Sequence, residues 1–368
     1  MAKERIAIFA RFLEDGGGLE RVILNLIKGL VDRDYIVDLL LFSAEGPFMQ
    51  FIPEDVHVID FGSPRILSTI PRLARYLRQE KPMVLYCAET DRGFAGVIAK
   101  FLAVSSTPIV IGIHIIESKH RQAKLDRKAK LLISVKRIIS PFAKKFIPVS
   151  QGVADDIIKD LHISKEKIQV IYNPVVSEKL KQDMQKTADH HWLQEKTIPV
   201  VLAAGRLVDQ KDFITLLHAF KDVISQYRAH LIIIGEGPQR PKLDSLIQEL
   251  DLADYVDMPG FVNNPYAYMK NADLFVLSSK FEGFGNVLVE AMACGCPVVS
   301  TDCVAGPSEI LQDGEYGPLV PVGNSEALGQ AILNALQHDH DISKLQERAE
   351  DFSEDKIVDE YLELFHLL

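Results

Sequence analysis

The sequence predicts an α/β protein built from two doubly wound halves, each a parallel sheet with helices on both faces. Three observations carry this reading. Short β-branched runs alternate with helical patterns from Arg5 to Ile139. The alternation pauses at Tyr172-Asn173-Pro174 and then restarts from Val200. Loops rich in glycine or charge follow strands at equivalent places in both halves, where open α/β sheets take their ligands.

In the first half the expected strands are Arg5–Ala10, Ile36–Phe42, Met83–Cys87, Pro108–Ile113 and Phe146–Val149. The helices between them are expected at Leu19–Val31, Ile66–Gln79, Asp91–Val104 and Lys119–Ile139. Asn-Pro breaks regular structure, and Ser177–Lys196 has little apolar content, so this stretch reads as a linker or surface excursion. The second half offers strands at Val200–Ala204, Leu231–Ile234, Tyr255–Met258, Leu274–Leu277 and Pro297–Ser300. Its helices are expected at Phe213–Ser225, Pro238–Leu250, Val287–Cys294 and Ser325–Gln337. Ser353 is a suitable N-cap for a last helix through Leu368, whose apolar positions include Ile357, Tyr361, Leu364 and Leu367.

The chain has 368 residues, enough for two cores. No apolar run reaches the roughly 18 residues a membrane span needs. The N-terminus, MAKERIAIFARF, enters a strand pattern directly, so a cytoplasmic protein is expected. Cys87, Cys294, Cys296 and Cys303 are too few for a disulfide scaffold, and the spacing of Cys294 and Cys296 does not suit zinc, so they read as packed or free thiols. A net charge of −10 argues against a general nucleic-acid binder. One stretch runs against that charge: Lys119 to Lys145 is densely basic, opposed within itself by Asp126 alone.

Four loops carry the chemistry. Glu14-Asp15-Gly16-Gly17-Gly18 follows the first strand, and three consecutive glycines let backbone N–H groups approach a ligand. It is neither a dinucleotide fingerprint nor a P-loop. Gly205 to Lys211 follows the first strand of the second half and offers two cations, Arg206 and Lys211, suited to a diphosphate or simply to solvent. Ser278 to Asn286 brings Glu282 and a Gly283-Phe284-Gly285 turn into a helix that carries Glu290. The helix N-terminus suits a phosphate, and the carboxylates suit hydroxyls. His114 follows the strand that ends at Ile113 and is a structural polar residue or a cleft group. Gly235-Glu236-Gly237 lacks the third glycine of a dinucleotide turn and reads as a tight turn. The triplets Asp32-Arg33-Asp34 and Asp339-His340-Asp341 have a metal-binding spacing but lie away from these loops, so no metal is expected.

With these loops in place, the chain resembles glycosyltransferase family 4, the retaining GT-B enzymes of bacterial polysaccharide and glycolipid synthesis. Glu282 to Glu290 matches the E-x7-E motif, GRLVDQKD at Gly205–Asp212 the diphosphate loop, and GGGLERV at Gly16–Val22 the N-terminal glycine loop. The resemblance implies two facing Rossmann-like domains with an interdomain cleft: 1–174 on the acceptor side, joined by 352–368 returning as the last helix, and 175–351 holding the nucleotide sugar. It implies that Arg206 and Lys211, after Gly205, hold the donor diphosphate. Glu282 binds sugar hydroxyls, assisted by the backbone of Gly283, Phe284, Gly285, Asn286 and Val287, and Glu290 binds the ribose. Phe261 and Val262 meet the base, Gly16, Gly17 and Gly18 close over the phosphates, and His114 lies near the transferred sugar. Two departures stand out. Asn286 occupies a place where the family often has a bulky aliphatic residue, and Thr301–Ile310 could bring Gly306 or Ser308 near the phosphate.

The resulting expectation is a retaining, metal-independent transfer of a hexose or N-acetylhexosamine from a nucleotide-diphosphate sugar, by default UDP-linked, to a glycan or lipid-linked acceptor. No resident cofactor is expected. Glu282, His114, Lys211 and Arg206 are the catalytic candidates. The basic stretch 119–145 is either a packed helix with a solvated face or a peripheral contact with anionic lipid at the inner face of a membrane. A non-catalytic nucleotide-sugar-binding subunit, an epimerase or a phosphorylase shares the architecture, and the intact Arg206, Lys211, Glu282 and Glu290 set speaks against the first.

Overall fold

A computed structural model describes residues 3–11, 18–63, 65–121 and 127–368, with backbone alone at 120, 121 and 127–132. The chain divides into two compact units, Met1–Pro174 with Glu354–Leu368, and Val175–Ser353.

The first unit is a parallel sheet of β1 (Arg5–Ala10), β2 (Ile36–Leu41), β3 (His57–Asp60), β4 (Val84–Cys87), β5 (Ile109–Ile113) and β6 (Lys145–Pro148). The strand order is β3-β2-β1-β4-β5-β6. The inner strands are largely apolar because helices cover both faces, the exception being Asp38 of β2, buried and accepting from Arg5 Nη1 at 2.6 Å and Tyr76 Oη at 2.6 Å. Ile6, Ile8, Leu39, Val84, Val110 and Ile147 are fully buried, each stabilising the fold by roughly 1.5–3 kcal/mol relative to exposure. β3 is absent from the sequence reading. It is an edge strand, HVID, with three of its four side chains exposed, and so gives no apolar run. The helix Gln151–Leu161 is also absent from it, although Ser150 caps it by accepting from the Val153 N–H at 3.2 Å.

The terminal helix Glu354–His366 belongs to this unit. Ile357, Val358, Tyr361, Leu364 and Phe365 are buried, whereas Leu367, expected on the apolar face, lies beyond the helix and is 82% exposed. Gly29 lets the first helix approach closely, since a Cβ there would meet Val358 Cγ2 at 2.6 Å. Arg33 pairs with Asp359 at 2.7 Å and Asp355 at 3.2 Å, and Asp34 pairs with Lys3 at 2.8 Å. The first D-x-D triplet therefore holds the terminal helix and strand β1 in place.

The second unit repeats the plan with β7 (Val200–Ala204), β8 (His230–Ile234), β9 (Val256–Gly260), β10 (Leu274–Leu277), β11 (Val298–Thr301) and β12 (Leu319–Val320). Its order is β12-β11-β10-β7-β8-β9. Renumbered from its own first strand and read backwards, this is the order of the first sheet.

One expectation is corrected. Ser177–Lys196 is folded rather than a linker. Its helices Glu178–Asp183 and His191–Gln194 bury Leu180 and Leu193, and Ala188 between them is also buried. Asn264 and Tyr268 each donate to its backbone, at Asp183 O and Asp189 O, both at 2.7 Å, while Trp192 stacks on His230 at 3.8 Å. Polar composition hid this because the segment is anchored chiefly by hydrogen bonds and one ring stack. Lys119–Ile139, expected as one helix, is helical at Glu117–Arg121 and Arg127–Ile139, and residues 122–126 between them lie outside the described residues. It is also opposed by acids from outside itself. Lys136 is buried, 2.8 Å from Asp91 and 3.1 Å from Glu117, which satisfies an otherwise costly internal charge.

Candidate active site

In a sheet of this order, helices leave in opposite directions on either side of the first and fourth strands, and a crevice opens at their carboxyl ends. In the second unit those strands are β7 and β10, which are adjacent. The loop after β7 carries Arg206 and Lys211, and the loop after β10 carries Glu282.

Backbone and side-chain bonds tie the two loops together. Lys280 N–H donates to Gln210 O at 2.8 Å, Gln210 Nε2 to Phe281 O at 2.8 Å, and Ser278 Oγ to Lys211 O at 2.7 Å. This framework sets Lys211 Nζ 2.6 Å from Glu282 Oε1, and Ser279 Oγ donates to the same oxygen at 2.6 Å. Ser279 and Glu282 are buried, as is most of the Lys211 side chain. The third loop, after β11, closes the frame. Thr301 Oγ1 donates to Ser279 O at 2.6 Å, and Glu282 N–H donates to Val304 O at 3.3 Å. Gly306, at φ +97°, belongs to it: a Cβ there would lie 1.6 Å from Phe284 O, so no other residue fits. Cys303 in the same loop is pushed up to about 12 by burial, with the Glu282 carboxylate adding to the shift, so it stays a thiol.

The helix Asn286–Ala293 begins just beyond Glu282. Gly285 at its N-terminus is left-handed, φ +101°, and no side chain caps it. The first turn thus directs backbone N–H groups toward the Lys211–Glu282 pair's loop. Glu290 lies just past that turn, 7% exposed, with Tyr266 Oη 3.5 Å from its Oε1. Arg206 is exposed on the β7 loop. That loop is pinned by the Gly235-Glu236-Gly237 turn: Gly205 N–H donates to Ile234 O and Leu207 N–H to Glu236 O, at 3.0 and 2.9 Å. A Cβ at Gly235 would meet Gly205 O at 2.0 Å, so this turn exists for close backbone packing. Phe261, half exposed, and Val262 follow the edge strand β9, two strands from β7.

In the first unit, His114 follows β5. Its Nε2 is 3.2 Å from the Tyr86 hydroxyl of β4, which is 3.4 Å from the Tyr361 hydroxyl of the terminal helix. Burial pushes His114 down to about 4, with Asn173 working the other way, so the ring is neutral at pH 7. Gly18 opens the first helix, Gly18–Asp32; Gly16 and Gly17 lie outside the described residues.

The structure therefore joins Lys211 to Glu282 just before the start of the Asn286–Ala293 helix, sets Glu290 along that helix, and leaves Arg206 exposed on the β7 loop. Ser279 and Tyr266 were missed by sequence reasoning. Ser279 had a signal, being three residues before Glu282 in the same loop. Tyr266 had only its place after Pro265, at the start of a helix capped by Asn264, Pro265–Asn271.

The comparisons with known proteins bear on the family and the fold. The family model described as Glycosyltransferase Family 4 matches residues 16–179, and that described as Glycosyl transferases group 1 matches residues 185–355. The chain is 35% identical over 354 residues, 91% of each sequence, to the N-acetylgalactosamine-N,N'-diacetylbacillosaminyl-diphospho-undecaprenol 4-alpha-N-acetylgalactosaminyltransferase of Campylobacter jejuni. It is 26% identical to the capsular polysaccharide biosynthesis glycosyltransferase CapM of Staphylococcus aureus, over 84% of this chain and 83% of the relative. Among solved structures, Anabaena HepE in complex with UDP superposes with a TM-score of 0.80 at 24% identity, over 99% of this chain and 100% of that one.

Proposed function

The chain belongs to glycosyltransferase family 4 and is a GT-B glycosyltransferase, and from that premise we propose that it transfers a sugar from a UDP-sugar to a lipid-linked glycan, with retention at the anomeric carbon. The observation that carries the reading is the Lys211–Glu282 pair, held by Ser279 between the β7 and β10 loops beside the Asn286–Ala293 helix start. The names of the Campylobacter relative, a diphospho-undecaprenol-dependent transferase, and of the UDP-bound Anabaena structure support the acceptor and donor classes.

In this reading the donor diphosphate displaces Glu282 from Lys211. Phosphate oxygens then meet Lys211, Arg206 and the helix N-terminus, while Glu282, released by Lys211 and still held at the same oxygen by Ser279, accepts sugar hydroxyls. Glu290, with Tyr266, takes the ribose. Phe261 and Val262 take the base, and Asn286 lies where sugar choice is tuned. Neither glutamate is placed as a nucleophile. Front-face substitution, in which the leaving diphosphate takes the acceptor proton, asks the protein chiefly to stabilise developing negative charge. Two cations and a helix terminus supply that without a divalent metal. His114, neutral at pH 7, can offer a hydrogen bond rather than a charge to a group it meets.

The experiment is a thermal-shift screen of UDP-, GDP- and ADP-sugars followed by turnover of Lys211→Ala with the stabilising donor. The reading predicts stabilisation by a UDP-sugar and loss of turnover. Unchanged turnover in Lys211→Ala refutes the phosphate role. A lipid-linked acceptor further calls for peripheral membrane contact, proposed from the sequence for residues 119–145.

A further inference from the structure

β5 holds a glycine in its interior, and the space it leaves is occupied. Tyr86 of β4 pairs with Val110 of β5, and Val110, Gly112 and His114 share one face because side chains alternate along a strand. The Tyr86 ring runs along that face to His114, with its hydroxyl 3.2 Å from Nε2. A Cβ at Gly112 would meet the Tyr86 hydroxyl oxygen at 2.2 Å and His114 Nε2 at 3.1 Å. Glycine weakens a strand. Here it clears the place where hydroxyl and imidazole meet.

Tyr361 reaches the same hydroxyl from the terminal helix, at 3.4 Å. The two phenol rings stand edge to face, 5.5 Å apart and 86° to each other, and Phe365 packs against both. Tyr86 is 1% and Tyr361 0% exposed. Phenylalanine would fill this space equally well, so packing alone does not explain two hydroxyls in the core. Burial keeps both protonated: Tyr361 is pushed up to about 12, and Tyr86 is also raised well above its ordinary value.

The hydrogen positions follow from counting donors. Among the described residues the Tyr361 hydroxyl has Tyr86 as its partner and no other. Tyr361 therefore donates to the Tyr86 oxygen, and Tyr86 donates to His114 Nε2. In the opposite sense Nε2–H donates to Tyr86 and Tyr86 to Tyr361, which strands the Tyr361 hydrogen in an apolar core at a cost in free energy. The first arrangement wins by one buried hydrogen bond. The ring is neutral, so a bare Nε2 leaves its hydrogen on Nδ1. This is the reverse of the tautomer that free histidine favours in water. Nδ1 itself is buried and has no hydrogen-bond partner among the described residues. Asn173 is close enough to favour a proton on the ring, but closes no hydrogen bond to that nitrogen.

We infer that Tyr86 and Tyr361 are positioning residues: their hydroxyls hold His114 as the Nδ1–H tautomer, and Nδ1 donates a hydrogen bond to a hydroxyl oxygen of the bound sugar substrate. That oxygen is the acceptor the chain itself does not supply to a buried N–H. The hydrogen stays on the ring, so no proton is transferred. The inference rests on the reading of the chain as a sugar transferase with His114 among its hydrogen-bonding groups. It gives the terminal helix a part in the reaction, through Tyr361.

The test is a proton–nitrogen correlation spectrum of the full chain carrying nitrogen-15 histidine, with His114→Ala assigning the His114 signals. The expected ring has a protonated Nδ1 and a bare Nε2. Tyr86→Phe moves it toward the Nε2–H form, and Tyr361→Phe moves it part of the way. Turnover is read as UDP released from the UDP-sugar that stabilises the chain. Tyr86→Phe lowers kcat by about tenfold, one hydrogen bond's share of transition-state stabilisation, and changes KM by less than about twofold. A wild-type ring protonated at Nε2 overturns the inference, and that spectrum needs no variant to fold. So does a Tyr86→Phe enzyme, folded by its melting curve, that changes tautomer yet keeps kcat. Full turnover in His114→Ala removes His114 from the reaction and overturns that part of the underlying reading as well. Lost turnover in His114→Ala with none lost in Tyr86→Phe overturns the inference alone.

Discussion

The two units share one strand order and treat polar groups at their strand ends in opposite ways. In the second unit a cation and a carboxylate lie buried against each other after β7 and β10, with a serine hydroxyl completing the contact. In the first, the group after β5 is a histidine kept neutral, beside the Tyr86 hydroxyl of β4, which itself meets the Tyr361 hydroxyl of the terminal helix. One topology thus sets where chemistry sits, and the loops decide whether the place is charged or neutral.

Four substitutions or titrations probe that contrast, beginning with the largest effect. Lys211→Ala leaves Glu282 buried beside a lone hydroxyl donor. Stability in urea falls by about 3 kcal/mol, and turnover falls by roughly a hundredfold or more because a leaving diphosphate loses its cation. If both stay at the wild-type value, the second unit is no more charge-dependent than the first.

The neutral histidine gives a pH signature of the opposite kind. His114 has a folded pKa near 4 and an ordinary unfolded value near 6.5, so the unfolded chain binds the extra proton between them. Stability is retained above pH 6.5 and lost as pH falls toward 4, by as much as about 3 kcal/mol from this residue. His114→Gln flattens that part of the denaturation profile. A profile as steep as wild type in His114→Gln assigns the slope elsewhere.

Ser279→Ala removes the hydroxyl donor from Glu282 while keeping Lys211. About 2 kcal/mol of stability is expected to go, within the range for hydrogen bonds to charged groups, and the sugar-dependent part of donor affinity, read as KM for UDP-sugar against Kd for UDP, weakens more than the UDP part. Equal weakening of both breaks the division between a sugar end and a nucleotide end. Tyr361→Phe is the mildest change. It removes one long hydrogen bond to Tyr86, about 1 kcal/mol or less, and shifts the His114 imidazole resonances in an NMR titration if the tyrosine pair orients that ring.

Most of the architecture was legible locally. Buried strands such as Arg5–Ala10 and Val200–Ala204 show as continuous apolar runs, because both sheet faces are covered. Illegible elements lacked that signature: the exposed edge strand His57–Asp60, the two-residue strand Leu319–Val320, and the polar stretch Ser177–Lys196, whose burial rests on three apolar side chains and bonds to distant backbone. Lys136 was read as part of a basic face, and only the partners Asp91 and Glu117 reveal that it points inward. At the candidate site, Glu282, Glu290, Arg206 and Lys211 were visible as residue types in loops after strands. Ser279 and Tyr266 were not, since a serine or tyrosine gains its meaning from what it touches.

The sequence by itself determined that two parallel sheets form, that glycine and charge gather after their strands, and that a helix begins beside Glu282. These are signals of short range, set by periodicity and by turn chemistry. Only the tertiary structure decided that β10 pairs with β7, which brings Lys211 to Glu282 across 71 residues of chain. Strand order depends on which apolar faces bury best against the same helices, and that is a property of the whole sheet that no local window of sequence contains.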